Sequence, residues 1–357
     1  MSIVKQNSWI HSAKFDTFWF IFPQLIPAII ICFLPSYFTN QQRTEIFPIS
    51  WILIVLAVDV AHVYSTVYKT YFKESARKEY SFKLKFLPFF VWMGGILIYS
   101  FSSYLFWSCL AYFAVYHFIR QQYGFFRLYT TTPIQNKFRA KFMNLTIYAS
   151  TVIPMIIWHL NGQQNFNWML EGDFKYINLP SLVPFMKVLL VLILIVYLYF
   201  EYLEKRSNDR WNFGRIMLTL STAIAWYICI VGINNDFTFS LVNVLGHGIP
   251  YIALVWITEK RTINPTSSDF QKYIFSKWGW ILFYLIIFAF AYAEEGIWDS
   301  LIWHEHSETF GWMYKLMSQI DSDQIMALIV PLLIMPQVVH YILDAYIWKR
   351  KKINEHK

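Results

Sequence analysis

Apolar residues along this chain form a series of stretches of about 20 residues, separated by short polar connections. Uninterrupted apolar stretches of this length are typical of α-helices that cross a bilayer. The pattern predicts an all-α helix bundle of about ten transmembrane helices, forming a single integral membrane domain over residues 1–357. The predicted spans are 17–38, 47–69, 86–103, 104–127, 141–161, 180–201, 214–233, 237–257, 277–295 and 324–348.

Composition supports the membrane interpretation. Of the 357 residues, 57% are hydrophobic, 20% are aromatic and 15% are charged, a balance that excludes an ordinary soluble domain. The formal charge of +8 does not indicate a nucleic-acid partner, because the basic residues lie in short loops between apolar runs. Cys32, Cys109 and Cys229 are far apart inside predicted spans, which argues against a disulfide framework or a cysteine-rich zinc module.

The basic residues also predict an orientation. Of the 30 Lys and Arg residues, 26 lie at the chain ends, in the connections after spans two, four, six and eight, or in the parts of the spans that adjoin these connections. The positive-inside rule then puts both termini in the cytoplasm, as expected for a multi-pass protein of the inner cell membrane. The polar start, residues 1–16, has no small-residue cleavage site and is expected to be retained. On the opposite side, residues 296–320 combine acidic and aromatic residues and predict an amphipathic outer-surface helix.

Four histidines lie inside even-numbered spans, which the topology predicts to run in the same direction. They are His62, His117, His247 and His340. From each histidine to the basic cytoplasmic end of its span is 7 to 13 residues, or roughly 10–20 Å of helix. Ionisable groups at such depth are costly and usually functional, so the four imidazoles are expected to form one layer.

Each of these histidines has a carboxylate or carboxamide three or four positions away, a spacing that puts both side chains on one helix face. Converging imidazoles with oxygen groups that bind directly or fix the ring tautomer are typical of a metal site. The predicted metal ligands are His62, His117, His247, His340, Asp59 and Asp344, with Gln121 and Asn243 orienting them. Nitrogen and oxygen ligands without thiolate favour mononuclear or dinuclear non-haem iron, with copper, manganese or zinc as alternatives.

Other interpretations use the same groups. The buried histidines and aspartates could relay protons in a proton-coupled transporter, or two histidines could be axial ligands of haem b. Structural hydrogen bonding between helices is a third interpretation. In the outer loop, His304 and His306 are candidates for a second metal site.

Two short segments resemble a known family. Pro336, His340 and Asp344 in the last span, with Tyr116-His117-Phe118, resemble motifs of the Brp/Blh family of bacterial membrane β-carotene-cleaving oxygenases. The chain differs from that pattern in the order of Asp59 and His62. The resemblance implies a non-haem iron oxygenase with histidine ligands acting on an apolar polyene. We therefore predict a membrane oxygenase or hydroxylase with a lipid-like substrate from the bilayer and an electron donor as partner.

Overall fold

Ten long helices account for most of the chain in a computed structural model that describes residues 8–34, 48–164, 167–320 and 322–349. They are α1 Ala13–Phe33, α2 Ile52–Lys69, α3 Ser81–Phe101, α4 Ser103–Tyr129, α5 Lys137–Leu160, α6 Pro180–Asn208, α7 Phe213–Gly232, α8 Asp236–Thr262, α9 Gly279–Trp303 and α10 Asp323–Ile347. No β-strand forms within these described ranges. The all-α prediction is therefore confirmed.

Each predicted span coincides with one of these helices, with ends that differ by up to eight residues. Several helices continue beyond their apolar run: α6 and α8 end in turns that carry Lys205, Arg206, Lys260 and Arg261. Basic side chains at a helix C-terminus interact favourably with the helix dipole. The helix therefore continues past the end of its apolar run. Residues 1–7 of the polar start, residues 35–38 of the first predicted span and residue 47 of the second lie outside the described residues.

In the described part of the chain, nine helices are long and apolar enough to cross a membrane. This finding is compatible with a multi-pass membrane protein. Helix α4 is not among the nine, although its 27 residues give it ample length. Its tyrosines and glutamines, together with His117 and Arg120, lower its hydropathy.

The chain divides into two compact units, and the first comprises residues 1–50 and 107–250. Within it α5 packs against α6 and α7, and α7 packs against α1. The contact between α5 and α6 is apolar and includes Ile153, Ile157 and Leu190. Asn136 caps α5 by accepting a hydrogen bond from the Arg139 amide at 3.0 Å, so a polar residue marks the start of the helix.

A buried ion pair lies in this first unit. The Arg215 guanidinium donates two parallel hydrogen bonds to the Glu201 carboxylate, each 2.7 Å long. The Arg215 and Glu201 side chains are 4% and 1% exposed. The bidentate geometry compensates two charges that would otherwise be buried at high cost.

Replacing Glu201 by alanine is expected to destabilise the protein by about 3–5 kcal/mol, because an unpaired guanidinium then remains buried. The measurement is thermal unfolding in detergent, followed by the loss of helical circular dichroism. As the control, Glu201→Leu combined with Arg215→Met removes both charges together and should stay within about 2 kcal/mol of the parent. Equal losses in the two variants would contradict the assignment.

The second unit comprises residues 51–106 and 251–357. Here α2 packs against α9 and α10, and α10 packs against α3. At the end of α2, Lys69 and Lys73 both bind the Glu259 carboxylate, at 2.9 and 2.7 Å. This ion-pair cluster joins the C-terminal end of α2 to that of α8.

Residues 296–320 do not form the single amphipathic helix that their composition predicts. Helix α9 continues to Trp303, and His304 then adopts a left-handed conformation with φ 54°. Beyond it are two short helices, Ser307–Phe310 and Met313–Lys315. The Asp299 carboxylate accepts hydrogen bonds from the amides of Glu305 and His306, and these contacts turn the chain.

Candidate metal centre

The second unit contributes a pair of buried histidines. His62 on α2 and His340 on α10 are each 1% exposed, and their ring centroids are 5.0 Å apart with planes inclined at 78°. The chain before His62 is wound as a π-helix over Ile52–Val60. Departures of this kind from regular α-helix are frequent at functional sites.

A chain of hydrogen bonds supports His340. Its Nδ1 lies 2.6 Å from the Thr66 hydroxyl, which is in turn 3.0 Å from the Tyr251 hydroxyl. Tyr251 donates to Asp344 at 2.5 Å and accepts from the Trp348 indole N–H at 3.4 Å. The polar groups behind His340 thus form a connected network that fixes the plane of its ring.

The first unit contributes another pair. His117 on α4 and His247 on α8 are 4% and 1% exposed, and their ring centroids are 4.8 Å apart at an angle of 74°. The ring of Phe118 packs against His247 at 4.5 Å. Gln121 donates to the main-chain oxygen of His247 at 2.9 Å, which ties α4 to α8 at this point.

Buried polar side chains hold α8 in place beside this pair. Gln24 donates to Ser221 at 2.8 Å, and Thr222 donates to Gln122 at 2.9 Å. Gly246 permits close approach to α1, since a Cβ there would lie 2.6 Å from the Gln24 Cβ. The narrow space that Gln24, Gln122 and His247 line leaves no room for a water molecule.

The four histidines His62, His117, His247 and His340 form one group. Each offers a ring nitrogen, and these four atoms all lie within 4.8 Å of one another. Two nitrogens bound to one ion at about 2.1 Å would be about 3.4 Å apart in a tetrahedral site and about 4.2 Å apart when opposite each other. The four ring nitrogens are therefore close enough to be candidate ligands of a single transition-metal ion.

The carboxylates and carboxamides predicted to bind the metal or orient its ligands do not belong to this group of histidines. Asp59 and Asp344 are outside the group, with a carboxylate oxygen 3.8 Å from Nδ1 of His62 and of His340, respectively. Asn243 donates to the Phe239 main-chain oxygen, and Gln121 bonds main chain rather than a ring nitrogen. A carboxamide on the same helix face as a histidine does not have to contact the histidine ring, because it can also donate a hydrogen bond to a main-chain carbonyl.

His304 and His306 are separate from this group. In the parts of the chain that the structure describes, His304 and His306 belong to no cluster of three or more potential metal ligands. The His306 ring stacks on Trp51 at 3.8 Å, and the His304 ring lies 4.4 Å from that of Tyr314. Their contacts are those of residues that shape a loop.

Sequence reasoning missed Thr66 and Tyr251, the two hydroxyl groups behind His340. Thr66 lies four residues after His62 on α2, so the same spacing that identified Asp59 could have identified it. Tyr251 lies four residues after His247 on α8. Side chains with a hydroxyl group are unremarkable in a membrane helix. Only the fold shows which histidine such a hydroxyl contacts.

Comparison of the chain with protein-family models, with curated proteins and with solved structures gives no match.

Proposed function

We propose that this chain is an integral-membrane metalloenzyme in which His62, His117, His247 and His340 bind one transition-metal ion. The observation that carries the proposal is the placement of four ring nitrogens within 4.8 Å of one another. All four histidines are at most 4% exposed. Hydrogen bonding between helices does not require four imidazoles to lie close together in an apolar surrounding, so a metal-binding role is favoured.

The proposed location is the inner cell membrane, with both termini in the cytoplasm. Nine helices of sufficient length and apolarity support a multi-pass arrangement. The orientation rests on the distribution of lysine and arginine, because the positive-inside rule places the basic loops on the cytoplasmic side.

Iron, which the donor atoms suit, is the metal that we propose. Imidazole ligands suit iron, copper, zinc and nickel, and the absence of a cysteine from the group argues against a soft thiolate site. Iron held by histidines would supply dioxygen activation. Oxidation of a lipid-like or polyene substrate is the reaction we propose, since such a substrate dissolves in the bilayer around the helices. The resemblance around His117 and His340 to the β-carotene-cleaving oxygenases supports a polyene.

The residues around the histidines would have distinct roles. Thr66 occupies Nδ1 of His340, so this ring would bind an ion through Nε2. Tyr251 and Asp344 hold the Thr66 hydroxyl in position through the hydrogen-bonded chain.

Dioxygen uptake tests the proposed reaction. Iron-loaded full-length protein in phosphatidylcholine vesicles, with a chemical reductant as electron donor, is expected to consume dioxygen about tenfold faster when a polyene or a long-chain fatty acyl substrate is added. His340→Ala should reduce uptake to the rate of empty vesicles. Bound iron with no substrate-dependent uptake for either substrate class would contradict the proposed function.

The hydrogen-bonded chain from Asp344 through Tyr251 and Thr66 to His340 also favours a second candidate, a proton-coupled transporter. Hydroxyl and imidazole groups in series can pass protons along such a chain. This function predicts pH-dependent flux in proteoliposomes by protein that contains no transition metal. Metal content and flux therefore distinguish the two candidates.

A further inference from the structure

A polar row runs along the outward face of α4. Tyr112, Tyr116, Arg120 and Gly124 follow one another at intervals of four residues, so they share one side of the helix. Tyr112 is 38% exposed, Tyr116 is 55% exposed, and Arg120 is also exposed. At Gly124 an added Cβ would have nothing within 4 Å, so the row continues into open space one turn beyond Arg120.

The Arg120 guanidinium is held by two tyrosines. It donates to the hydroxyl of Tyr148 on α5, and its Cζ lies 5.2 Å from the ring centroid of Tyr123. Those two rings are stacked on each other, with centroids 4.9 Å apart. The contacts fix the direction of the guanidinium and leave most of its five N–H donors to other partners.

The described part of the chain leaves the charge of Arg120 without a neutralising carboxylate. Its hydrogen bond goes to an uncharged hydroxyl, and it forms no ion pair with a carboxylate within the described ranges. Other arginines of the same unit are paired: Arg139 binds Glu204 and Arg215 binds Glu201. Arg120 is therefore a cation available to an external anion.

On the proposed membrane placement, in which α4 crosses the bilayer, the position of Arg120 along the helix puts this cation inside the hydrocarbon core. Arg120 is nine residues before the end of α4 at Tyr129, a distance of about 13 Å along the axis. The hydrocarbon core is about 30 Å thick, so a helix that crosses it would hold Arg120 at a depth where an unpaired charge is costly. Charged groups at that depth are usually paired, and since the described residues supply no carboxylate to Arg120, the lipid phase is the partner we infer.

We propose that Arg120, Tyr116, Tyr123 and Tyr148 form a binding site for the oxyanion headgroup, a carboxylate or a phosphate, of a single membrane amphiphile. The planar guanidinium suits bidentate binding of either oxyanion. The headgroup enters through the open space at Gly124, and the apolar chain lies along Tyr116 and Tyr112. The site rests on the proposed membrane placement and does not depend on the metal.

Photolabelling of the full chain in phosphatidylcholine nanodiscs tests the site. The probes are stearic acid and phosphatidylglycerol, each with a photoactivatable diazirine in the acyl chain, and labelled phosphatidylcholine serves as the probe without net charge. Attachment to peptides of α4 and α5 is quantified by mass spectrometry. Arg120→Gln is expected to reduce labelling by an anionic probe about tenfold, because it removes the charge that binds the oxyanion.

Gly124→Leu should reduce the same labelling at least as strongly, since its side chain fills the entrance while nothing within 4 Å opposes its Cβ. Gly94→Leu is the matched control, because a Cβ at Gly94 on α3 also meets nothing within 4 Å. It should leave labelling unchanged, with helical circular dichroism confirming that all variants fold.

Preferential labelling by stearic acid would assign the site to a carboxylate, and preferential labelling by phosphatidylglycerol to a phosphate. Unchanged labelling in Arg120→Gln would overturn the proposal. Equal labelling by phosphatidylcholine would also overturn it, as would displacement of the probe by millimolar inorganic phosphate, which would identify a soluble anion as the ligand.

Discussion

Protein with alanine at both His117 and His340 is expected to retain less than about a tenth of the metal bound by the parent chain. Each substitution removes one of the four nitrogens that lie within 4.8 Å of one another, so two ligands are too few to hold an ion in a buried site. The measurement is metal content per chain by mass spectrometry of elements, after purification in detergent from iron-supplemented cells.

The control replaces two histidines outside the group, His11 and His159. His159 interacts with the Tyr112 hydroxyl at 2.9 Å, and its loss should not affect an ion elsewhere. The control protein should keep the metal content of the parent. Equal metal in the double variant at His117 and His340 would show that the ion is bound at some other place.

Thr66→Val is expected to lower metal affinity by about 10- to 100-fold, the usual effect of removing a group that orients a ligand. Valine has the shape of threonine but cannot interact with Nδ1 of His340, which lies 2.6 Å from the Thr66 hydroxyl. The ring then loses the partner that fixes its tautomer and orientation. Affinity is measured by competition with a chelator of known strength.

A matched control is Thr146→Val. Thr146 is also fully buried in a long helix, but its hydroxyl donates only to the main-chain oxygen of Phe142. This variant should keep the affinity of the parent. Thr66→Ser should restore most of the affinity, because the hydroxyl returns without the methyl group. A Thr66→Val protein with unchanged affinity would contradict the orienting role.

Much of the fold could be predicted from the sequence. Ten apolar stretches coincide with ten helices, because burial in an apolar surrounding requires the main chain to form its own hydrogen bonds. The ends of the helices were less predictable. Helix α9, for example, extends eight residues past its predicted end to Trp303, since Glu294 and Glu295 interrupt the apolar pattern without interrupting the helix.

The grouping of the four histidines is the part of the site that spacing along the sequence indicated, because each lies at a similar distance from the basic end of its predicted span. The roles of the neighbouring polar residues were not. Asp344 is four residues from His340, yet its short hydrogen bond goes to Tyr251, a residue 93 positions away. Such partners depend on which helices pack together, and periodicity within one helix carries no information about that.

The buried pair of Arg215 and Glu201 illustrates the same limit. Glu201 lies at the predicted end of one span and Arg215 at the start of the next. From these positions the sequence predicts that both residues lie at the membrane–water interface. Their bidentate contact, with hydrogen bonds of 2.7 Å, depends on how the two helices pack.

X-ray absorption at the iron edge tests the central claim most directly, because it reports the atoms around the ion in the intact protein. A site of four histidines is expected to give a first shell of about four nitrogen atoms near 2.1 Å, with the multiple scattering that imidazole rings produce. A first shell of oxygen or sulfur atoms without imidazole scattering would contradict it.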